Sequence, residues 1–257
     1  MNYLTRRNEK IRLFGLNMEN LTPRLAEVRV LDALSQKDRC RLLFTPNLEM
    51  LARAKEDKDV RKLLNRADLL LPDGVGVALA ARLYGKRISG IIPGIEMGQR
   101  ILIEARRRAL RVFLLGGGEG VADLAASALR SRMPRLNICG THHGYFAEND
   151  EKRVIEKIKE ARADILFICM GFPRQEAFAV KIKDSLPACR LIACLGGSLD
   201  VWSQKVKRAP APLRRAHAEW LYRVLAQPSR IPRLLSSLPA LAHPVKLRMK
   251  IYCRKNF

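Results

Sequence analysis

Six short apolar runs, at residues 41–45, 68–71, 111–115, 136–139, 164–170 and 190–195, alternate with stretches of helical spacing, and this alternation constrains the fold more than any other feature of the sequence. Val121, Leu124, Ala125, Ala128 and Leu129 recur as one face of a helix does, as do Val154, Ile155, Ile158 and Ala161. Apolar runs with little polar alternation are strands buried on both faces, so strand, helix, strand repeated in this way predicts an α/β fold. The expected architecture is a Rossmann-like, mostly parallel sheet with helices on both faces. Residues 11–15 read as a further strand, and residues 22–35 as a helix opened by Thr22 with Pro23 in its first turn.

The regular pattern ends near Trp202. From Ser203 to the end, 13 Lys and Arg stand against one acid, Glu219, so 55 residues carry +12 of the chain's net charge of +23. The same stretch holds Pro210, Pro212, Pro228, Pro232, Pro239 and Pro244, six of 13 prolines, which break it into short helical pieces. Two units are expected: residues 1–202 as an α/β catalytic domain, and residues 203–257 as a basic helical C-terminal appendage. The charge points to a polyanionic partner: nucleic acid, an anionic membrane surface or a phosphorylated substrate. The tail carries no RNP-like aromatic motif, zinc finger or helix-turn-helix pattern, which argues against nucleic acid. Six cysteines without CxxC pairing fit buried thiols, and no run approaches the roughly 18 apolar residues of a membrane span. A cytoplasmic protein is expected.

A parallel sheet binds ligands beyond the carboxyl ends of its strands. Those ends are polar here: Thr45-Pro46-Asn47, Pro72-Asp73-Gly74, Gly116-Gly117-Gly118-Glu119-Gly120, Gly140-Thr141-His142-His143-Gly144, Gly171-Phe172-Pro173-Arg174-Gln175-Glu176 and Gly196-Gly197-Ser198-Leu199-Asp200. Asp73, after three leucines and before a glycine, is placed either as a general base or as the cap of a helix over residues 75–84; by residue type the cap is the commoner role. Asp200 carries the same two readings. Gln175 both donates and accepts, as sugar hydroxyls and acetamido groups require, or is a solvated residue at a helix start. The glycines at 116–120 suit either a phosphate or a tightly packed turn, and the acidic residue of a dinucleotide site is missing about 20 positions on. No nicotinamide or other cofactor is expected. Asp57-Lys58-Asp59 lies in a charged helical stretch rather than at a strand end, and the adjacent His142 and His143 read as loop residues, so no metal site is expected. In the tail, Arg223, Arg230 and Arg233 share one side of a continuous helix by spacing, beside Trp220 and Tyr222, and guanidinium forks suit diphosphates.

Taken together, Thr45-x-Asn47, Asp73-Gly74-x-Gly76, Gly171 to Glu176, Gly196 to Asp200, Lys207-Arg208-Ala209-Pro210 and Glu219-Trp220-Leu221-Tyr222-Arg223 resemble the WecG/TagA/CpsF glycosyltransferases, in order and spacing from about Ile11 to Val245. The resemblance implies an inverting, metal-independent enzyme that moves an N-acetylmannosamine-type sugar from a UDP donor to polyprenyl-diphosphate-linked N-acetylglucosamine. It also implies work at the inner face of a bacterial membrane in wall or surface polymer synthesis. On this likeness Asp73 is the matching base. Thr45, Asn47, Gln175 and Asp200 match crevice positions that hold substrate, and Arg223, Arg230 and Arg233 match arginines that close over the diphosphate. The chain departs from the pattern before Pro93-Gly94-Ile95-Glu96, where Ile91 stands in place of an arginine and Arg87 lies four residues earlier. The donor sugar and any homo-oligomer stay open.

Overall fold

The computed structural model describes residues 10–210, 212, 213, 219, 222, 231–238 and 241. A six-stranded, wholly parallel sheet forms from β3 (Arg41–Phe44), β4 (Leu69–Leu70), β5 (Val112–Gly116), β6 (Ile138–His142), β7 (Ile165–Cys169) and β8 (Leu191–Cys194), in the order β4-β3-β8-β7-β5-β6. Each predicted run supplies one strand.

Two apolar cores line the two faces. Helices α1 (Pro23–Ser35), α5 (Gly94–Arg107), α6 (Val121–Arg132) and α9 (Ser198–Trp202) close one face around Leu43, Leu114, Phe167 and Ala193. Helices α2 (Leu48–Glu56), α3 (Lys58–Leu64), α4 (Val75–Leu83), α7 (Glu151–Glu160) and α8 (Arg174–Ile182) close the other around Phe44, Phe113, Leu166 and Ile192. Successive strand residues face opposite layers, and both layers are apolar and buried, which explains why the strands read as unbroken apolar runs. Thr22 caps α1 through the Leu25 N–H at 3.4 Å, with Pro23 in its first turn, as expected.

One expectation is met in an unforeseen setting and one is corrected. The strand expected at 11–15 forms as β1 (Lys10–Leu13), which pairs with β2 (Leu16–Glu19) in a hairpin apart from the main sheet, folded by two residues of positive φ, Phe14 and Gly15. The strained Phe14 is held edge-on to Tyr84 at 4.8 Å, and Asn65 clamps the turn by accepting from the Asn17 N–H and donating to the Gly15 carbonyl. His142, expected in a loop, ends edge strand β6, because the strand continues through a bulge: the register slips between Val112 and Phe113, so Phe113 pairs with Gly140. Only glycine fits there, since a Cβ would enter the Phe113 ring.

Beyond Trp202, residues 203–210 stay against the sheet unit. The Val206 N–H donates to the Asp200 carbonyl at 3.0 Å, and Ala209 is buried. Farther on, α10 (Ile231–Ser237) packs on α2 with Ser237 buried, and Leu241 reaches the second core. Ile231, Leu235 and Leu238 remain exposed at helical spacing. Among the described residues, no helix is long and apolar enough to cross a membrane.

Candidate active site

Strands β4, β3, β8 and β7 are neighbours and end on the same side of the sheet, so at roughly 4.8 Å per strand their ends form a rim about 14 Å wide. That rim carries Asp73, Thr45, Asn47, Asp200 and Gln175, five of the residues picked out from the sequence.

Asp73 is half-buried and does not cap the helix that follows it. The N-cap of α4 is Gly74, at φ 85°, with no side-chain cap. Asp73 instead turns across the crevice, where its Oδ2 accepts the Gly94 N–H at 3.2 Å, and its own N–H donates to the Pro46 carbonyl at 3.0 Å. Gly94 opens the 14-residue α5, so the carboxylate sits at the positive end of a long helix. A Cβ on Gly94 would fall 2.7 Å from Thr45 Oγ1 and 3.5 Å from Asp73 Oδ2. Thr45, Asp73 and the helix start therefore meet at one point, and a bare backbone lets them. Gly94 is the residue that sequence reasoning missed; its signal was a Pro-Gly pair opening an amphipathic helix.

Asn47 is exposed and caps α2, its Oδ1 accepting from the Met50 N–H at 3.0 Å. Gln175 is buried, not solvated. Its Oε1 accepts from the Gly171 N–H at 3.3 Å and the Gly196 N–H at 3.2 Å, and its Nε2 donates to Glu176 Oε1 at 2.8 Å. The amide thus ties the two glycine loops at the ends of β7 and β8. Glu176 beneath it has no exposed surface and an Oε2 without a hydrogen-bond partner among the described residues; burial pushes its carboxyl up to about 7, against the opposing effect of the Gln175 hydrogen bond. Asp200 lies in the first turn of α9, half-buried. Its charge adds to the burial that pushes the neighbouring Cys169 thiol up to about 12.

The expected tail arginines Arg223 and Arg230 lie outside the described residues, and of Arg233 only the backbone, within α10, is described. Arg87 is exposed. Ile91 is half-buried where the chain runs beside β4, its neighbour Ile92 donating to the Pro72 carbonyl. In the glycine turn, a Cβ on Gly116 would strike the Cys169 carbonyl and one on Gly117 would meet Val121 at 2.6 Å, so close packing accounts for both glycines. Asp57 caps α3 through the N–H groups of Asp59 and Val60, which hold its carboxyl below the ordinary value. Among the described residues, no three His, Cys, Asp or Glu side chains converge as a metal requires.

A cavity of about 670 Å³ opens between β6 and α7, lined by His142, His143, Tyr145, Phe146, Arg153 and Lys157 among others. It shares no lining residue with the Asp73, Thr45 and Gly94 cluster. The strand-end cluster brings a carboxylate, a hydroxyl and a helix N-terminus to one point, so it is the candidate active site.

Residues 11–254 match the Glycosyl transferase WecG/TagA/CpsF family. The chain belongs to this family of glycosyltransferases. It is 34% identical over 194 residues, 76% of this chain and 74% of the relative, to the N-acetylglucosaminyldiphosphoundecaprenol N-acetyl-beta-D-mannosaminyltransferase of Bacillus spizizenii. A protein of the same name from Staphylococcus aureus is 31% identical over 245 residues, 94% of each chain. The likeness thus extends over the WecG/TagA/CpsF chain from the hairpin well into the basic tail, and the crevice lies wholly within it.

Proposed function

We propose that the chain transfers an N-acetylmannosamine-type sugar from a UDP donor to polyprenyl-diphosphate-linked N-acetylglucosamine, with inversion and without a metal. The observation that carries the reading is the Asp73 carboxylate, fixed by the Gly94 N–H beside Thr45 at the β4 end of a polar rim, in a chain of this family. Both relatives bear the name of that activity.

In the proposed step Asp73 accepts the proton of the acceptor hydroxyl as that oxygen attacks the anomeric carbon. The bond from that carbon to the UDP oxygen breaks on the opposite face, which inverts the centre. The bond from Gly94 orients the carboxylate, and Thr45 lies close enough to place the acceptor or donor hydroxyls. The departing diphosphate gathers negative charge, which positive groups must meet where no metal does. Arg223, Arg230 and Arg233 are the assigned donors. Asn47 and Asp200, after the adjacent strands β3 and β8, are assigned to sugar or ribose hydroxyls, and Gln175 shapes the crevice by holding its two glycine loops.

The acceptor lies in a bilayer, and the tail suits that place. It carries +12, and α10 with the turn that follows it exposes Ile231, Leu235 and Leu238 while the helix packs on α2. A cationic segment with an apolar stripe binds an anionic surface, so the protein is proposed to sit peripherally on the inner face of the membrane. A panel of UDP-sugars offered with a short-chain lipid-diphosphate N-acetylglucosamine tests the reading. UDP release with an inverted product anomer, undiminished in excess EDTA, is expected. No transfer from any UDP-sugar would refute it.

A further inference from the structure

We propose that Arg208 is a positioning residue, a clamp that fixes the basic tail to the start of α5 and thereby to the Asp73 crevice. The proposal builds on the glycosyl transfer reading above. One nitrogen of Arg208, Nη2, lies 2.8 Å from Glu96 Oε1 and 3.5 Å from Glu219 Oε2. Glu96 belongs to the first turn of α5, two residues after the Gly94 whose N–H holds Asp73. Glu219 is the sole acid among the 55 residues of the tail. The cluster joins three sequence motifs that are far apart in the chain: Pro93 to Glu96, Lys207 to Pro210 and Glu219 to Arg223.

The environment separates this cluster from an ordinary surface ion pair. The Arg208 side chain is 15% exposed and that of Glu219 19%, while that of Glu96 is 50% exposed, and Arg208 Nε is buried with no partner among the described residues. A guanidinium with that little water depends on its carboxylates. Arg208 is itself anchored, because Ala209 beside it is buried and the preceding turn is tied to α9 through Val206 and Asp200. The clamp thus links a fixed point on the sheet unit to Glu219, four residues in sequence before Arg223, the first of the arginines assigned to the diphosphate. With the clamp open, Glu219 loses its tie to α5 while Asp73 and the sheet stay in place.

The test uses the full chain with Arg208→Ala, Arg208→Lys, Glu219→Gln and the Arg208→Ala/Glu219→Gln double variant. Amide hydrogen exchange is followed without ligand over residues 94–100 and 205–222. Turnover is followed with the UDP-sugar and a water-soluble N-acetylglucosamine diphosphate, and thermal unfolding is recorded alongside. Arg208→Ala and Glu219→Gln should each speed exchange in both segments at least fivefold and lower kcat about tenfold, with acceptor KM within twofold and Tm within a few degrees. The double variant should fall no further than either single one, since the groups act as a unit. Arg208→Lys should recover at least half of kcat, because a single nitrogen makes both contacts.

Exchange unchanged in Arg208→Ala would overturn the clamp, as would additive losses or a kcat that fails to recover with lysine. If the wild type itself transfers no sugar, the glycosyl transfer reading fails, and the exchange data still decide whether the clamp exists.

Discussion

Asn47 and Asp73 are near-isosteric side chains at neighbouring strand ends, and the residues after them separate their roles. Asn47 is followed directly by α2 and caps it, whereas Gly74 takes the cap position of α4 and leaves Asp73 to face α5. Asp73→Asn should keep the fold and UDP affinity and lower kcat by about 10² to 10⁴, since an amide retains the shape but accepts no proton. Wild-type turnover in that variant would remove Asp73 from the chemistry. Glu176 makes a prediction of the opposite kind, on stability. Its carboxyl is ordinary at 4.5 when unfolded and about 7 when folded, so between those values only the folded chain holds the proton. Stability therefore falls as pH rises through that window, by up to about 3 kcal/mol, and is flat above it. Glu176→Gln, which imitates the neutral acid, should be more stable than wild type at pH 8 and nearly equal to it near pH 4.5 in denaturant titrations. Asp73 was legible from its place after Leu69-Leu70-Leu71 because strand ends obey a topological rule. The burial of Gln175 and Glu176 was not, since it depends on β8 bringing Gly196 to the other side of the amide.

At the scale of elements, all six main-sheet strands could be read from their apolar runs, and what escaped was chirality and register. Phe14 at positive φ is a conformation its side chain disfavours, so Gly15 alone marks the hairpin turn in the sequence, and the slip at Gly140 places a bare backbone against the ring of Phe113 on another strand. The glycine turn after β5 offers a sharper test of the packing account. Gly116, at φ 138° and against the Cys169 carbonyl, should not tolerate a methyl group, whereas Gly118 meets only Val121 Cγ2 at 3.9 Å. Gly116→Ala should cost about 3 kcal/mol or more in unfolding free energy, combining backbone strain with a clash that cannot relax. Gly118→Ala should stay within about 0.5 kcal/mol of wild type. Equal losses at both positions would show that the turn serves something other than packing.

For the whole molecule, the uneven charge predicts behaviour at surfaces. Full-length protein should sediment with anionic vesicles more than with neutral ones, salt should weaken the effect, and Leu235→Glu should reduce it without changing turnover of a water-soluble acceptor. Binding to nucleic acid of similar strength, with none to vesicles, would redirect the tail to a different partner. A chain cut after Pro210 should stay folded, because every fully buried residue of both cores precedes that point and Leu241 only adds to the edge of the second, and should lose transfer. One feature of the sheet bears on how such a chain is made. β3 pairs with β8 through Arg41 and Leu191, about 150 residues apart, so the outer pair β4 and β3 can find its seat only when nearly the whole sheet unit has left the ribosome. At about 5 to 20 residues per second that interval is on the order of 10 to 30 s. Through it, Thr45 and Asp73 ride on an undocked segment, and a chain arrested before Cys189 should be degraded by protease as readily at β3 as at its termini. Asp73, the base of the proposed mechanism, takes its final seat only at the end of a slow and vectorial assembly, so on that mechanism the nascent chain holds no working catalyst until the sheet around it is complete.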